Sequence, residues 1–127
     1  MNILHVKKSL AELDIQFELI ILKLDCAKEY PKLITDFNLI KRELNKAYYQ
    51  GNYQEKSIKN LAPYYEHLDI IIGNDELKQI IKNTRYQLLF IQNEIINRHY
   101  LDDNYDPLFE CITYIMYFIK VVTETNN

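Results

Sequence analysis

Acidic side chains are concentrated between Arg98 and Glu110, where the chain reads RHYLDDNYDPLFE. We call this segment the elbow, because strongly apolar stretches flank it on both sides. Carboxylates at this density could bind a metal ion, transfer protons as general acids and bases, or meet a basic partner. Each of these kinds of chemistry requires further residues at particular spacings, and those spacings decide between them.

A calcium site is the first possibility for the elbow, since Asp102, Asn104 and Asp106 alternate as they do at the start of a calcium-binding loop. Such a loop continues with a turn glycine and ends with a glutamate that binds calcium through both oxygens. This chain has Pro107 and Thr113 at those two positions. The elbow therefore does not predict calcium binding.

Other metal and cofactor sites are also excluded by spacing. His5, His67 and His99 are far apart, and the sequence contains neither the zinc-binding nor the di-iron spacing of histidine and glutamate. Loops that hold phosphates need clustered glycines, whereas Gly51 and Gly73 are isolated. The sequence predicts no metal and no cofactor.

Catalytic residues are equally hard to find. Ser9 and Ser57 are the only serines, and neither lies in a context typical of a nucleophile. His99 has charged neighbours and could act in acid–base chemistry, but a histidine at this position also suits the end of a helix. We therefore predict that the chain is not an enzyme, with a helical RNA-processing enzyme that uses His99 or His67 as an alternative.

Tyrosines accompany the acids and favour a partner-binding surface. The chain has eleven tyrosines and no tryptophan, and tyrosine is enriched at protein interfaces because it combines a rigid ring with a hydroxyl. In the other interpretation, the elbow is a solvated turn whose acids cap the last helix. The predicted partner-binding residues are Tyr64, Tyr65, Tyr100, Asp102, Asp103, Tyr105, Asp106 and Glu110.

The elements that must position these residues are predicted to be helices. The chain has 127 residues, of which 48% are hydrophobic, but only two are glycine and three are proline. A β-sandwich of this length would need many more turn residues. We predict an all-α fold, a single-domain bundle over residues 1–127 with four to five mostly antiparallel helices.

The first two helices are predicted on either side of Tyr30-Pro31. Apolar residues recur at helical spacing over residues 3–28, and Ile15, Leu19 and Leu22 widen the stripe, so we expect burial on more than one side. Pro31 then suits the first turn of a helix that QGN at 50–52 ends. On this second helix we expect Glu43 on or near the solvent side.

Three further segments complete the predicted bundle. Residues 53–72 are interpreted as a short helix with a restart at Ala62-Pro63, ending at Gly73. The following helix begins at Asn74 or Asp75 and runs to about His99. The last begins with Asp106 as its N-cap, and it is apolar nearly all round, which predicts a central position or half of an interface.

Charge and cysteine usage indicate the setting. Residues 1–63 carry ten basic and eight acidic side chains, whereas residues 64–127 carry five and ten, so the acidic second half favours a basic partner over nucleic acid. We expect Cys26 and Cys111 to be buried free thiols of a cytoplasmic protein. The longest apolar run is nine residues, too short to span a bilayer.

These observations together predict a protein-binding protein without enzymatic activity. Its most concrete form is a bacterial immunity protein or antitoxin that blocks the active site of a basic toxin, such as a nuclease. The other alternative is a homodimeric helical adaptor or regulator that pairs through its last helix. No direct contact with nucleic acid or membrane is predicted.

Overall fold

The computed structural model describes residues 3–28, 30–65, 75–99 and 105–124, and almost all of them are helical. No strand occurs within these ranges, so the predicted all-α bundle is confirmed. The helices are α1 (Ile3–Ala27), α2 (Pro31–Tyr49), α3 (Glu55–Lys59), α4 (Leu61–Tyr65), α5 (Asp75–His99) and α6 (Asp106–Thr123).

The four long helices form a bundle in the spatial order α1, α2, α6, α5. Each packs against the next, and α5 closes the ring on α1, so that α1 and α6 lie diagonally opposite one another. Cross-helix contacts set the directions. Asp14 and Glu18 of α1 bind Asn45 and Lys41 of α2 in reversed order along the two helices. Lys23 near the end of α1 pairs with Glu76 near the beginning of α5 at 3.1 Å. These contacts make α1 antiparallel to both neighbours, and α2 and α5 therefore run in the same direction.

That parallel arrangement determines the path of the chain between α2 and α5. The chain leaves α2 at the end of the bundle opposite to the one where α5 begins, so it must return along the bundle's length. The described part of this return consists of α3 and α4, which pack over α6, with α3 also touching α2. Tyr53 lies near the beginning of α6, and Tyr65 packs against Phe118 near its end, with ring centroids 5.5 Å apart.

The core follows the helical periodicity of the sequence. An aromatic chain links the elements, since Phe17 of α1 contacts Phe37 of α2, and Phe37 contacts Phe118 of α6 with ring centroids 5.6 Å apart. Burying such side chains supplies the main stabilising free energy of a bundle. On α2, the residues that recur at helical spacing are all buried: Leu33, Phe37, Ile40, Leu44 and Ala47.

The last helix, α6, occupies a central position, which is the first of the two predictions made for it. It contacts α2, α3, α4 and α5, and its residues Leu108, Cys111, Ile112, Ile115, Phe118, Ile119 and Val122 are buried. Phe109 and Met116 are half-buried against the same core. The apolar character of α6 on several sides therefore reflects the number of elements packed around it.

Three helix ends differ from their predicted positions. The backbone leaves α1 at Lys28, which adopts a left-handed φ of 57°, so this helix ends one residue before the predicted bound at 28. The break between α3 and α4 falls at Asn60 rather than at Ala62-Pro63. Pro63 therefore lies in the first turn of α4, where a backbone N–H would have no partner within the helix. Asp106 is the first residue of α6 and Tyr105 its N-cap, one residue away from the prediction.

The prediction that α1 is buried on more than one side is wrong. Ile15, Leu19 and Leu22 lie on the face opposite the core, with 66%, 36% and 58% of their surface exposed. Cys26 is also exposed, which corrects the expectation of two buried thiols, whereas Cys111 is buried. In the described ranges, no helix has both the length and the apolar character needed to cross a bilayer.

Candidate functional site

Those predicted partner-binding residues that the structure describes lie at two ends of α6. Tyr100, Asp102 and Asp103 lie outside the described residues. Asp106 and Glu110 are exposed and one turn apart at the beginning of α6, whereas Tyr105 beside them is buried.

Tyr64 and Tyr65 belong to the other end of α6. Tyr65 packs against Phe118, twelve residues beyond Asp106, which corresponds to about 18 Å along a helix. The structure therefore does not bring this tyrosine pair to Asp106 and Glu110. Tyr64 is 60% exposed and has Lys32 over its ring at 4.8 Å, whereas Tyr65 is 4% exposed and offers no comparable surface. Whether any of these residues binds a partner stays a prediction.

A pocket lies where the turn between α2 and α3 meets the beginning of α6. Its volume is about 290 Å³, and its walls are Gly51, Asn52, Tyr53, Glu55, Asp106, Pro107 and Glu110. Gly51 has a left-handed φ of 71°, which lets the chain reverse tightly after α2 and bring α3 beside α6. We call this the acidic pocket, since Glu55, Asp106 and Glu110 are its charged residues.

One wall of the acidic pocket is held by a hydrogen bond. The hydroxyl of Tyr53 donates to Oε1 of Glu110 over 2.5 Å. Partial burial, followed by the bond and charge of Glu110, raises the pKa of Tyr53 well above its ordinary value, so the hydroxyl stays a donor at neutral pH. This contact ties the connection to α6 and leaves the second carboxylate oxygen of Glu110 with acceptor capacity.

The chemistry of the acidic pocket suits a cationic group. Glu55 and Asp106 are exposed, and within the described part of the chain neither forms an ion pair. Carboxylates accept hydrogen bonds from ammonium and guanidinium groups, and such charge-assisted bonds are stronger than neutral ones. A lysine or arginine side chain of another protein would meet up to three carboxylates here.

The other acids of this region are buried, and they hold the connection in place. Glu43 is fully buried on α2, where its Oε1 accepts a hydrogen bond from the backbone N–H of Gln54 at 2.7 Å. Lys46 and Arg42 bond the same carboxylate at 3.2 and 3.1 Å. The prediction that Glu43 faces solvent is therefore wrong, because the return of the chain places Gln54 over it.

Asp36, near the beginning of α2, holds the other end of the connection in the same way. It is 1% exposed, and its two oxygens accept bonds from the Tyr65 hydroxyl at 2.5 Å and from Lys32 at 2.6 Å. Burial, followed by the bond and charge of Asp36, raises the pKa of Tyr65 far above its ordinary value. Asp36 and Glu43 are thus fixed by donors and are not available to a ligand.

Cys111 is a buried thiol on α6. Burial, with Glu43 and Glu110 nearby, raises the pKa of the Cys111 thiol to about 12, which keeps it protonated and unreactive at neutral pH. The ranges described hold no group of three potential metal ligands. His67 and the side chain of His99 lie outside the described parts, so the alternative that uses them stays untested.

Sequence reasoning missed Tyr53 and Glu55 as part of the candidate site. Tyr53 is 57 positions from Glu110, and no periodicity within one segment indicates that two such segments touch. The one indication in the sequence was the group of tyrosines before and after Gly51, which predicts a turn surrounded by aromatic side chains.

Comparison with known protein families, with curated proteins and with solved structures finds no match to this chain.

Proposed function

We propose that this chain is a non-enzymatic binding protein whose acidic pocket receives a basic group of a protein partner. The observation that carries the proposal is the convergence of Glu55, Asp106 and Glu110 around one exposed pocket. Asp106 and Glu110 are part of the excess of acids in residues 64–127, which also includes Asp102 and Asp103 of the elbow, next to the pocket in sequence.

The most concrete form of this function is an immunity protein or antitoxin of the bacterial cytoplasm. A nuclease toxin has a basic, phosphate-binding active site, so an acidic surface could cover it and exclude its substrate. Opposite potentials would accelerate association, and desolvated charge pairs would slow dissociation. The hydroxyl of the half-buried Tyr53 binds Glu110, which holds this carboxylate at the pocket.

Two matched aspartates allow a test of this proposal. Asp106 begins α6 beside the acidic pocket, and Asp75 begins α5 at the other end of the bundle. Both are exposed first-turn residues, so replacing either by lysine changes the net charge equally and weakens a similar interaction with the helix dipole. Only the Asp106→Lys change alters the pocket.

The measurement is capture of partners from a lysate of the source organism on the immobilised protein, at low and at high salt. We expect wild type and Asp75→Lys to retain the same basic protein at low salt and release it at high salt. Asp106→Lys should lose it at both. Equal capture by the two variants would contradict a role for the pocket, and retention of no basic protein by wild type would contradict the proposed function.

A further inference from the structure

The outer face of α1 carries an exposed apolar row, which we call the α1 seam. It consists of Ile15, Leu19, Leu22 and Cys26, all exposed and on the side of the helix opposite its core residues. Their spacing of four, three and four residues is the alternation by which one helix packs along another in a coiled coil. Contiguous apolar surface of this kind typically marks an interaction site.

The apolar surface extends beyond the seam into a neighbouring groove. A pocket of about 490 Å³ lies between α1 and α2, and Leu19, Leu22, Ile21 and Ile34 form its apolar walls. A helix laid on the α1 seam would therefore contact an apolar floor on one flank as well as the seam itself. No segment among the described residues covers either surface.

Charges at the two ends of the seam indicate which occupant fits. The same alternating positions continue toward the N-terminus at Glu12 and Lys8, both exposed, while Lys23 and Asp25 flank the Cys26 end. If a second α1 lies antiparallel with its Ile15 on Leu19, then Lys8 lies opposite Cys26, which has Asp25 beside it, and Glu12 lies opposite Leu22, which has Lys23 beside it. Lys23 also pairs with Glu76 of its own chain, so its charge is shared between the two acids. A parallel pairing instead sets Lys8 against Lys8 and Glu12 against Glu12, which is repulsive.

We propose that the α1 seam binds a second copy of this chain, with the two α1 helices antiparallel about a two-fold axis midway between Ile15 and Leu19. Such an interface is self-complementary, as a two-fold dimer requires. Because α1 lies diagonally opposite α6, this dimer leaves the acidic pocket of each copy accessible. The dimer would thus present two pockets, but it does not depend on what they bind.

The first test uses Cys26 as a probe of the pairing direction. In the antiparallel dimer, the two Cys26 positions are separated by 18 residues of helix, about 27 Å, far beyond disulfide reach. Lys8→Cys places a thiol opposite Cys26 of the other copy. Under mild oxidation, we expect Lys8→Cys to form a covalent dimer on a non-reducing gel and wild type to stay uncrosslinked.

Two control variants define the result. Lys7→Cys adds an exposed thiol about 100° around the helix from Lys8, so its crosslinking should be weak. Lys8→Cys combined with Cys26→Ser should remain monomeric on the gel. A wild-type dimer linked through Cys26, or equal crosslinking of the Lys7 and Lys8 variants, would overturn the antiparallel pairing.

The second test measures association without crosslinks. Leu22→Glu buries two carboxylates in each dimer interface, and we expect it to weaken dimerisation roughly a hundredfold in sedimentation equilibrium. Tyr117→Glu changes an equally exposed residue on α6, on the opposite side of the bundle, and should leave association unchanged. Circular dichroism is used to check that both variants fold. If Leu22→Glu does not fold, Ile15→Lys takes its place. A wild type that stays monomeric at millimolar concentration, with no crosslinked Lys8→Cys, would refute the seam.

Discussion

Two sets of acids, one on α2 and one around the acidic pocket, have opposite environments. Glu43, like Asp36 seven residues earlier on α2, is buried and receives hydrogen bonds from donors of several elements. Glu55 and Asp106 are exposed, and Glu110 accepts a single bond from Tyr53. The two sets differ in the number of hydrogen-bond donors around each carboxylate. A carboxylate that accepts several hydrogen bonds within the chain stabilises the fold, whereas one that accepts one or none stays available to a partner.

The buried set also explains how the connection between α2 and α5 is held. Asp36 and Glu43 are seven residues apart and so lie on one flank of α2, facing the returning chain. Glu43 holds the beginning of the return through Gln54, and Asp36 holds its described end through Tyr65. Charged groups inside a bundle are tolerated only when such bonds replace the lost water.

The largest effect in this comparison is expected from removing Glu43. Glu43→Ala deletes an acceptor of three hydrogen bonds and leaves the Gln54 N–H without its partner, so the free energy of unfolding should fall by about 3 kcal/mol. Glu55→Ala is the matched exposed control and should change it by less than about 0.5 kcal/mol. Urea denaturation followed by circular dichroism measures both. Similar values for the two variants would contradict the distinction between the sets.

A smaller effect is expected from the paired tyrosines of α4. Tyr65→Phe leaves one buried oxygen of Asp36 without its donor, and the free energy of unfolding should fall by about 2 kcal/mol. Tyr64→Phe removes a hydroxyl from a ring that is 60% exposed and should have almost no effect. The two adjacent variants differ only in burial and partner, and equal midpoints in urea would show that the Tyr65–Asp36 bond adds nothing to stability.

Acid should weaken the fold partly through Glu43. Burial alone would raise the pKa of this carboxyl, but the bonds from Gln54, Arg42 and Lys46 outweigh it and hold the pKa below its ordinary value of 4.5. A carboxyl whose pKa is lower in the folded than in the unfolded chain adds stability at pH values above the unfolded pKa. This stability is lost as the pH falls through the folded pKa. Urea unfolding between pH 6 and pH 3 should therefore show a steeper loss for wild type than for Glu43→Gln. Identical pH profiles would exclude this linkage.

The sequence was sufficient where structure depends on local pattern. The stripe from Leu33 to Ala47 and the run of α5 to His99 follow from periodicity, and Pro31 begins α2 because its ring suits a first turn. These features need only residues within one segment. The all-α class follows from the same patterns together with the scarcity of glycine and proline.

The sequence was insufficient where one segment covers another. Glu43 stands after Lys41 and Arg42 in a run that looks solvated, and only the return of the chain at Gln54 buries it. Ile15 and its neighbours on α1 looked like core for the converse reason, since hydrophobicity does not reveal which face another helix will cover. The acidic pocket likewise depends on a contact between the α2–α3 turn and α6, which are distant in sequence.

The smallest effect concerns Tyr53, whose bond joins the connection to an acid of the exposed set. Tyr53→Phe removes the same chemical bond as Tyr65→Phe, but water can solvate Glu110 once the hydroxyl is gone, so the loss should be about 0.5 kcal/mol. Urea denaturation of the two variants side by side measures how much burial adds to one type of tyrosine–carboxylate bond. A loss at Tyr53 as large as that at Tyr65 would mean that Glu110 is committed to the fold, and the acidic pocket would then retain only Glu55 and Asp106 for a partner.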